Sequence, residues 1–543
     1  MATVEVKKRD GLARTGILTL GEEIVRLPGV LDTEVLFPDL ADLSFSNVPL
    51  TAPEPFVAAY LAPSEGQPVT VHPALAITAS SGNCVMVANW NTALGNPRSY
   101  TEWLVRLKEH LPPDTSWYAP GAALPSNVHI LCYSGFDLFD FIAVDLKTAQ
   151  YRFCLAEGEF PAEIMETGVC GCEGCNEGDL KTHNRLALKR EIALVTRFIA
   201  DQQLREFVEA RSRMVAVHVA ILRHLDNYYS FLEQHLPVVR SGRLGAMSGE
   251  ALKRPEVRRF AGRVLNRYIP PSADVAVLLP CSARKPYSAS QSHRKFSDVI
   301  GGRALELIVT SPLGLVPREL ERIYPAAHYD IPVTGYWDRE ELAFTAGIVA
   351  DFLKKHPFRR VITHLEGGAL EAARMAAAIA GITMEESCSI RPAAGDSLRN
   401  LGTLLDGERQ VRQDPVHGTL SWQFGIDVDT RGMTVRWKPP NLSVKKGKEP
   451  LFSLDPGTGL LRPTFEGWKY IPEVYRVRID DFVPQGDILA PGVIATDPAI
   501  REGDEVLVMG PSVVATGRAA MPASGMEASA RGVAVRVRKI KKV

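Results

Sequence analysis

The sequence predicts a multidomain protein of mixed α/β and α+β character, on three observations. Its 543 residues exceed what one hydrophobic core usually holds. Residues 255–395 alternate strand-length apolar runs with stretches at helical spacing, the pattern of a parallel α/β sheet. Residues 474–543 carry short alternating runs between glycine-rich turns, the pattern of a compact β unit. A composition 45% hydrophobic and 23% charged is globular, and a net charge of −1 exerts no global pull on nucleic acid or membrane. Any nucleic-acid contact therefore falls to a local basic patch.

Taken in order, residues 74–78 and 128–132 read as strands and 100–110 as a helix. Residues 184–236 are nearly free of Gly and Pro, so 185–200 and then 203–233 read as amphipathic helices. A glycine-containing connector follows at 241–249. Next come a strand at 274–279, a helix after Ser292, a strand at 305–309 and a helix near 317–323. The series closes with a helix at 340–355, a strand at 361–363 and a helix at 368–380. Residues 396–470 are rich in turn formers and read as a small β-rich domain, with 433–437 as one strand. The expected division is 1–240, 250–395, 396–470 and 474–543. The charged start, Met1 to Asp10, is no signal peptide, and the apolar stretch at 369–384 is broken by Glu371 and Arg374. A cytoplasmic protein with no membrane partner is expected.

Eight cysteines are too few for a disulfide scaffold of this length, and their clustering points to metal and catalysis. Cys170-x-Cys172-x2-Cys175 followed by His183 has the spacing of a closed Cys3His site for structural Zn2+. Residues 280–293 gather a thiol (Cys281), an amine (Lys285), a phenol (Tyr287), hydroxyls including Ser290, and an imidazole (His293) just past a strand. Neighbouring cations lower a thiol pKa, so Cys281 is the candidate nucleophile, with Lys285 as electrostatic support and His293 as proton donor. Tyr287 and Ser290 are candidates to hold a polar substrate group. The plainer reading is a polar turn with a buried cysteine. Ligands of parallel sheets bind beyond the strand carboxyl ends, which adds Ser311, Asp330 and Glu366 as candidate substrate contacts. Gly367-Gly368 before a helix reads either as an anion approach or as a plain turn. In the tail, Arg531, Arg536, Arg538 and Lys539 alternate with apolar residues; a phosphate-binding face and a charged edge strand both fit.

The pattern Pro280-Cys281-x3-Lys285-Pro286-Tyr287-x2-Ser290-x2-His293 resembles the signature of the archaeosine synthase family. The run Thr310 to Glu319 and the stretch Tyr329 to Gly335 resemble it too. Val4 to Arg14, Gly135 to Asp140 and the zinc cluster closing on Thr182-His183-Asn184 are similar to archaeal tRNA-guanine transglycosylases. The C-terminal segment resembles a PUA domain, a small RNA-binding barrel, at Gly492-Val, Gly503-Asp-Glu-Val506, Gly517-Arg518 and Gly532-Val-Ala534.

The resemblance implies a truncated transglycosylase-like part, an α/β catalytic core, a small β-rich domain and a PUA barrel. It implies a tRNA substrate with 7-cyano-7-deazaguanine at position 15, in the dihydrouridine arm. The nitrile becomes an amidine, with free lysine as the implied amine donor and a radical-SAM partner cleaving the adduct; glutamine or ammonia is the alternative donor. Base exchange is not expected. About 170 residues precede Cys170, short of the ~250 of a complete (β/α)8 barrel. The base-reading aspartate aligns with Ala79, so Asp140, at the position of the transglycosylase nucleophile, is expected to be a relic or a packing residue. Residual transglycosylase activity and a non-catalytic tRNA-presenting subunit are the rival functions.

Overall fold

The structure is a computed structural model that describes residues 2–20, 22–31, 69–72, 84–87, 96–332, 335–412, 414–438 and 441–543. The strand expected at 74–78 and the Ala79 alignment lie outside these residues.

The chain opens with an antiparallel meander of β1 (Ala2–Asp10), β2 (Ala13–Leu20) and β3 (Glu23–Leu27), whose first turn uses Gly11 at φ +65. A parallel sheet follows: β4 (Gly29–Val30), β5 (Val69–Val71), β6 (Cys84–Val87), β7 (Ser116–Tyr118) and β8 (Leu138–Phe139). Its order is β4-β8-β7-β6-β5. Among the described residues this part therefore shows five barrel-type strands. Helix α1 (Pro97–His110), capped by Asn96, packs Trp103, Leu104 and Leu107 beneath it. Residues 128–132 are not a strand but part of helix α2 (Val128–Tyr133). Every residue of α2 is buried, and a short apolar run carries no period that separates strand from buried helix.

Helix α3 (Leu180–Ala200) follows the cysteine cluster. The expected helix at 203–233 is broken into α4 (Leu204–Ser212), α5 (Ala216–Asp226) and α6 (Tyr229–His235). Buried ion pairs weld this helical segment to the next part. Arg254, fully buried, meets Glu206 at 2.6 Å and Glu209 at 2.7 Å, and the equally buried Arg240 meets Glu206 at 2.9 Å. These two guanidiniums overcome burial and hold the Glu206 carboxyl down at about 2. Removing one partner of such a pair strands a buried charge.

The second sheet holds β12 (Val275–Pro280), β13 (Leu305–Thr310), β14 (Gly314–Pro317), β16 (Arg360–Thr363) and β17 (Glu385–Glu386), numbered after β9 (Arg152–Leu155), β10 (Gly158–Pro161), β11 (Leu244–Gly245) and β15 (Tyr329–Asp330). The order is β14-β13-β12-β16-β17, parallel except for the β13–β14 hairpin. That hairpin replaces the helix expected near 317–323: β14 is wholly buried beside β13, and only a 3-10 turn, Arg318–Leu320, follows. Helices α7 (Pro255–Asn266), α8 (Gln291–Ile300), α9 (Arg339–Lys355) and α10 (Gly367–Ala380) cover the sheet. Helix α9 starts on a full capping box, Asp338 with Glu341.

Residues 396–470 begin helical, with α11 (Gly395–Leu404) and α12 (Pro415–Phe424). Leu401 and Leu405 pack into the core of the second sheet. Four antiparallel strands follow: β18 (Met433–Lys438), β19 (Asn441–Lys446), β20 (Glu449–Leu454) and β21 (Leu461–Pro463). They share one hydrophobic cluster with the C-terminal unit, which runs from Val416 to Val535. That unit is a six-stranded, nearly closed barrel built on Arg476–Ile479, Glu505–Met509, Val513–Ala519 and Val533–Lys542. It docks on the helical segment through Arg501 on Glu233 at 2.8 Å and the Val238 amide on the Glu502 carbonyl at 2.8 Å. Among the described residues no helix is long and apolar enough to cross a membrane.

Candidate active site

Strand β12 ends at Pro280 and delivers Cys281, half-buried, to the carboxyl edge of the sheet. Lys285 lies across from it, its ammonium 3.8 Å from the centre of the Tyr329 ring. Tyr329 comes from β15 and was not singled out as a site residue in the sequence; its hydroxyl bonds Tyr287 at 2.8 Å and Thr310 at 2.6 Å. Burial pushes the Cys281 thiol up, while the Thr310 hydroxyl and the Lys285 charge pull it back. Burial pushes Lys285 down, opposed by Cys281 and Asp330 and aided by Arg243. Burial thus favours the neutral form of each group, while the charge of each favours the charge of the other.

His293 does not serve as the expected proton donor. It is completely buried, and both ring nitrogens are taken. Arg318, which can only donate, gives an N–H to Nδ1 at 2.8 Å, so Nε2 carries the proton and donates it to the Pro280 carbonyl at 2.9 Å. Burial, and then Arg318, hold its pKa down at about 3. The imidazole therefore buttresses the peptide that presents Cys281. Arg318 is itself fixed by Glu306 at 2.6 Å and Glu321 at 2.9 Å, and Glu321 also accepts from the Ser288 amide at 2.9 Å.

Two further signature residues have internal duties rather than the expected grip on a substrate group. Ser290 caps α8, accepting from the His293 amide at 3.2 Å. Tyr287 is fully buried, its hydroxyl held by Tyr329. Ser311 donates to Glu341 at 2.7 Å, which ties the end of β13 to α9. Asp330 is exposed beside Lys285, whose charge it favours. Glu366 is exposed at the start of α10 and acts on Cys388. The Gly367-Gly368 pair is a close-packing device: a Cβ on Gly368 would lie 2.7 Å from the Trp337 ring, and one on Gly367 would lie 3.1 Å from the Gly335 carbonyl.

The cysteine cluster assembles around His183. The ligand atoms of Cys170, Cys172, Cys175 and His183 all lie within 4.8 Å of one another. Cys172 and Cys175 sulfurs are 3.6 Å apart, close to the ~3.8 Å edge of a tetrahedron with 2.3 Å Zn–S bonds. His183 Nε2 donates to the Cys154 carbonyl at 3.1 Å, which leaves Nδ1 free to face Cys172 and Cys175 at 3.4 and 3.2 Å. Phe153 stacks on the imidazole at 3.6 Å. Only glycine fits at 174, where a Cβ would fall 2.3 Å from the His183 amide nitrogen. Three thiols and one oriented imidazole suit a closed, structural zinc ion.

Asp140 stands just past β8. Its carboxylate accepts from the Tyr118 hydroxyl at 2.8 Å and from the Gly121 and Ile142 amides at 2.9 Å each. It is 1% exposed, and burial pushes its pKa up.

A cleft of about 600 Å³ separates β1 from the C-terminal barrel. Lys7, Lys8, Arg9, Arg531 and Arg536 line it, with Asp114, Asp455 and Glu502 as its carboxylates. Arg538 points elsewhere: it pairs with the buried Glu505 at 2.9 Å. Lys539 is exposed on the last strand.

Residues 257–405, which carry the thiol loop, match the model of a domain of unknown function (DUF5591), and residues 475–541 match the PUA domain. Archaeosine synthase of Haloferax volcanii is 34% identical over 99% of this chain and 99% of its own. Archaeosine synthase subunit alpha of Methanosarcina acetivorans is 38% identical over 83% of this chain and 79% of its own. The chain belongs to the archaeosine synthase family. A tRNA-guanine(15) transglycosylase of Methanobrevibacter smithii is 28% identical over 45% of this chain and 40% of its own. This chain thus carries a PUA domain and a Cys3His cluster and is related over part of its length to a tRNA-guanine(15) transglycosylase.

Proposed function

We propose that this chain forms the amidine of archaeosine, acting on tRNA that carries 7-cyano-7-deazaguanine at position 15 of the dihydrouridine arm. The observation that supports this reading is the half-buried Cys281 at the end of β12 with the Lys285 ammonium seated beside it on Tyr329. A nitrile carbon is electrophilic. The Cys281 thiolate adds to it: a C–S bond forms, one C–N π bond breaks, and the nitrogen takes a proton from Lys285. The neutral amine of the donor then attacks the thioimidate. Collapse of the tetrahedral adduct expels the thiolate, and Lys285 takes back the proton that the new amidine sheds.

Free lysine, through its side-chain amine, is the proposed donor, and a radical-SAM partner subunit is proposed to cleave the product. The family name and the PUA domain support a tRNA substrate. The cationic cleft offers a seat for phosphates, with Arg531 and Arg536 facing Lys7, Lys8 and Arg9. Cys170, Cys172, Cys175 and His183 would hold Zn2+, which stiffens the cysteine loop and takes no part in the reaction.

The test withholds the amine donor. Nitrile-bearing tRNA should then be retained on the protein through Cys281, as a denaturant-stable adduct absent from Cys281→Ser. Adduct-free protein, together with a near wild-type amidine yield from Cys281→Ser, would remove the covalent route.

A further inference from the structure

In the reaction proposed above, one donor amine must be able to approach Cys281 while Lys285 stays within reach of the nitrile nitrogen. Lysine side chains lose about 2 kcal/mol of rotamer entropy when held in one place. Something must therefore hold Lys285. No ion pair or side-chain hydrogen bond to a carboxylate does so among the described residues; the ammonium rests on an aromatic face, 3.8 Å from the centroid of Tyr329.

Tyr329 is well placed for that duty. It is 3% exposed and lies on β15, which pairs in parallel with β11 in the register Leu244 to Tyr329. Its hydroxyl is anchored at both sides, to Tyr287 at 2.8 Å and to Thr310 at 2.6 Å. Tyr287 belongs to the thiol loop, and Thr310 ends β13, the strand beside β12. The ring is thus locked to the thiol loop and to the strand beside the one that presents Cys281. A cation over an aromatic face is worth more as water is excluded, and Lys285 is half-buried.

We infer that Tyr329 is a positioning residue: its ring seats the Lys285 ammonium, and its doubly bonded hydroxyl fixes that ring relative to Cys281. The inference rests on the thiol-amine reading of the site. Among the described residues the titratable phenols of Tyr287 and Tyr329 face Cys281 as well. Cys281 and Asp330 favour the charge on Lys285, Arg243 opposes it, and Thr310 and Lys285 favour the thiolate. A shifted Lys285 therefore changes the thiol itself, before any substrate is present.

The test is the pH dependence of Cys281 alkylation by iodoacetamide in the full-length protein, read at the Cys281 peptide by mass spectrometry. It is paired with single-turnover amidine formation. Tyr329→Leu should move the alkylation midpoint upward and slow turnover about 100-fold, to the level of Lys285→Met. Tyr329→Phe keeps the ring and should fall between, with turnover down about 10-fold. Tyr329→Leu combined with Lys285→Met should be no worse than Lys285→Met alone, because both remove one interaction. A wild-type midpoint in Tyr329→Leu, or losses that multiply in the double variant, would overturn the positioning role. Far-UV circular dichroism screens out unfolded variants, and Tyr329→Phe carries the test if Tyr329→Leu does not fold. Because alkylation needs no tRNA, it separates this inference from the proposed reaction. A shifted midpoint in a protein that makes no amidine would retain Tyr329 and reject the reaction.

Discussion

Two parallel sheets in this chain each end in a group able to act as a nucleophile, and their surroundings differ in kind. Asp140, past β8, has three hydrogen bonds of 2.8–2.9 Å and almost no exposure. Cys281, past β12, is half-buried and faces a cation that is itself held by a ring. A carboxylate so fully bonded acts as a knot, tying Tyr118, Gly121 and Ile142 together. In the proposed reaction the thiol beside a partly desolvated amine is the reacting group, with Lys285 and Thr310 opposing the rise that burial imposes on its pKa. The same architecture, a strand end in a parallel sheet, is thus proposed to serve packing in one half and reaction in the other.

The contrast can be broken by exchange of losses. Cys281→Ala should lower single-turnover amidine formation by 1,000-fold or more, of the order seen when a covalent nucleophile is removed. Asp140→Asn should leave that rate within about threefold and instead cost about 1–3 kcal/mol of stability in urea unfolding. A catalytic collapse in Asp140→Asn with unchanged stability would reverse the assignment of the two halves.

Metal removal should separate the halves further. Chelation, or Cys172→Ser, should strip hydrogen-exchange protection from residues 150–200 while residues 275–380 keep theirs, and metal analysis should find about one zinc per chain. Equal loss across both regions would show that the cluster supports the whole molecule.

The cationic cleft bears on the tRNA side of the proposed reaction. Lys8→Glu and Arg536→Glu should each weaken tRNA binding about tenfold and lower the salt slope by about 1, with the rate at saturating tRNA unchanged. Arg538→Ala should affect tRNA binding least, since its partner is Glu505.

A pH-dependent effect concerns His293. Its folded pKa is about 3 against about 6.5 when unfolded, so protons bind the unfolded chain first as pH falls. The stability it contributes is present above pH ~6.5 and is lost as pH falls toward 3. The stability gap between wild type and His293→Gln should narrow across that window by about 1.4 kcal/mol per pH unit at most. A gap that does not change with pH would mean that His293 titrates alike in the folded and unfolded chains.

The sequence was most legible where local pattern and burial agree. The wholly apolar core of β12 and the capping box of α9 announce themselves within a few residues. The Cys3His spacing did the same for the metal cluster. The apolar run of α2 was misread because five residues hold no decisive period. In the site, nearness along the chain suggested His293 as the acid, but Arg318, 25 residues away, occupies its ring nitrogen. Tyr329 was missed for a similar reason: it reaches Tyr287 from 42 residues away, through a two-residue parallel pairing with no marked pattern of its own. Motif reading gathers reactive groups, whereas the partners that choose among them arrive from other strands.

In the proposed reaction the thiol-amine pair past β12 builds an amidine on a tRNA-borne nitrile. The most direct measurement is mass spectrometry of nucleosides from 7-cyano-7-deazaguanine-containing tRNA incubated with this protein and isotopically labelled lysine, beside the same reaction with Cys281→Ala. The account predicts a nucleoside heavier by one labelled lysine in the first reaction and unchanged nitrile in the second. An adduct of equal yield in both reactions, or unchanged nitrile in both, would contradict it.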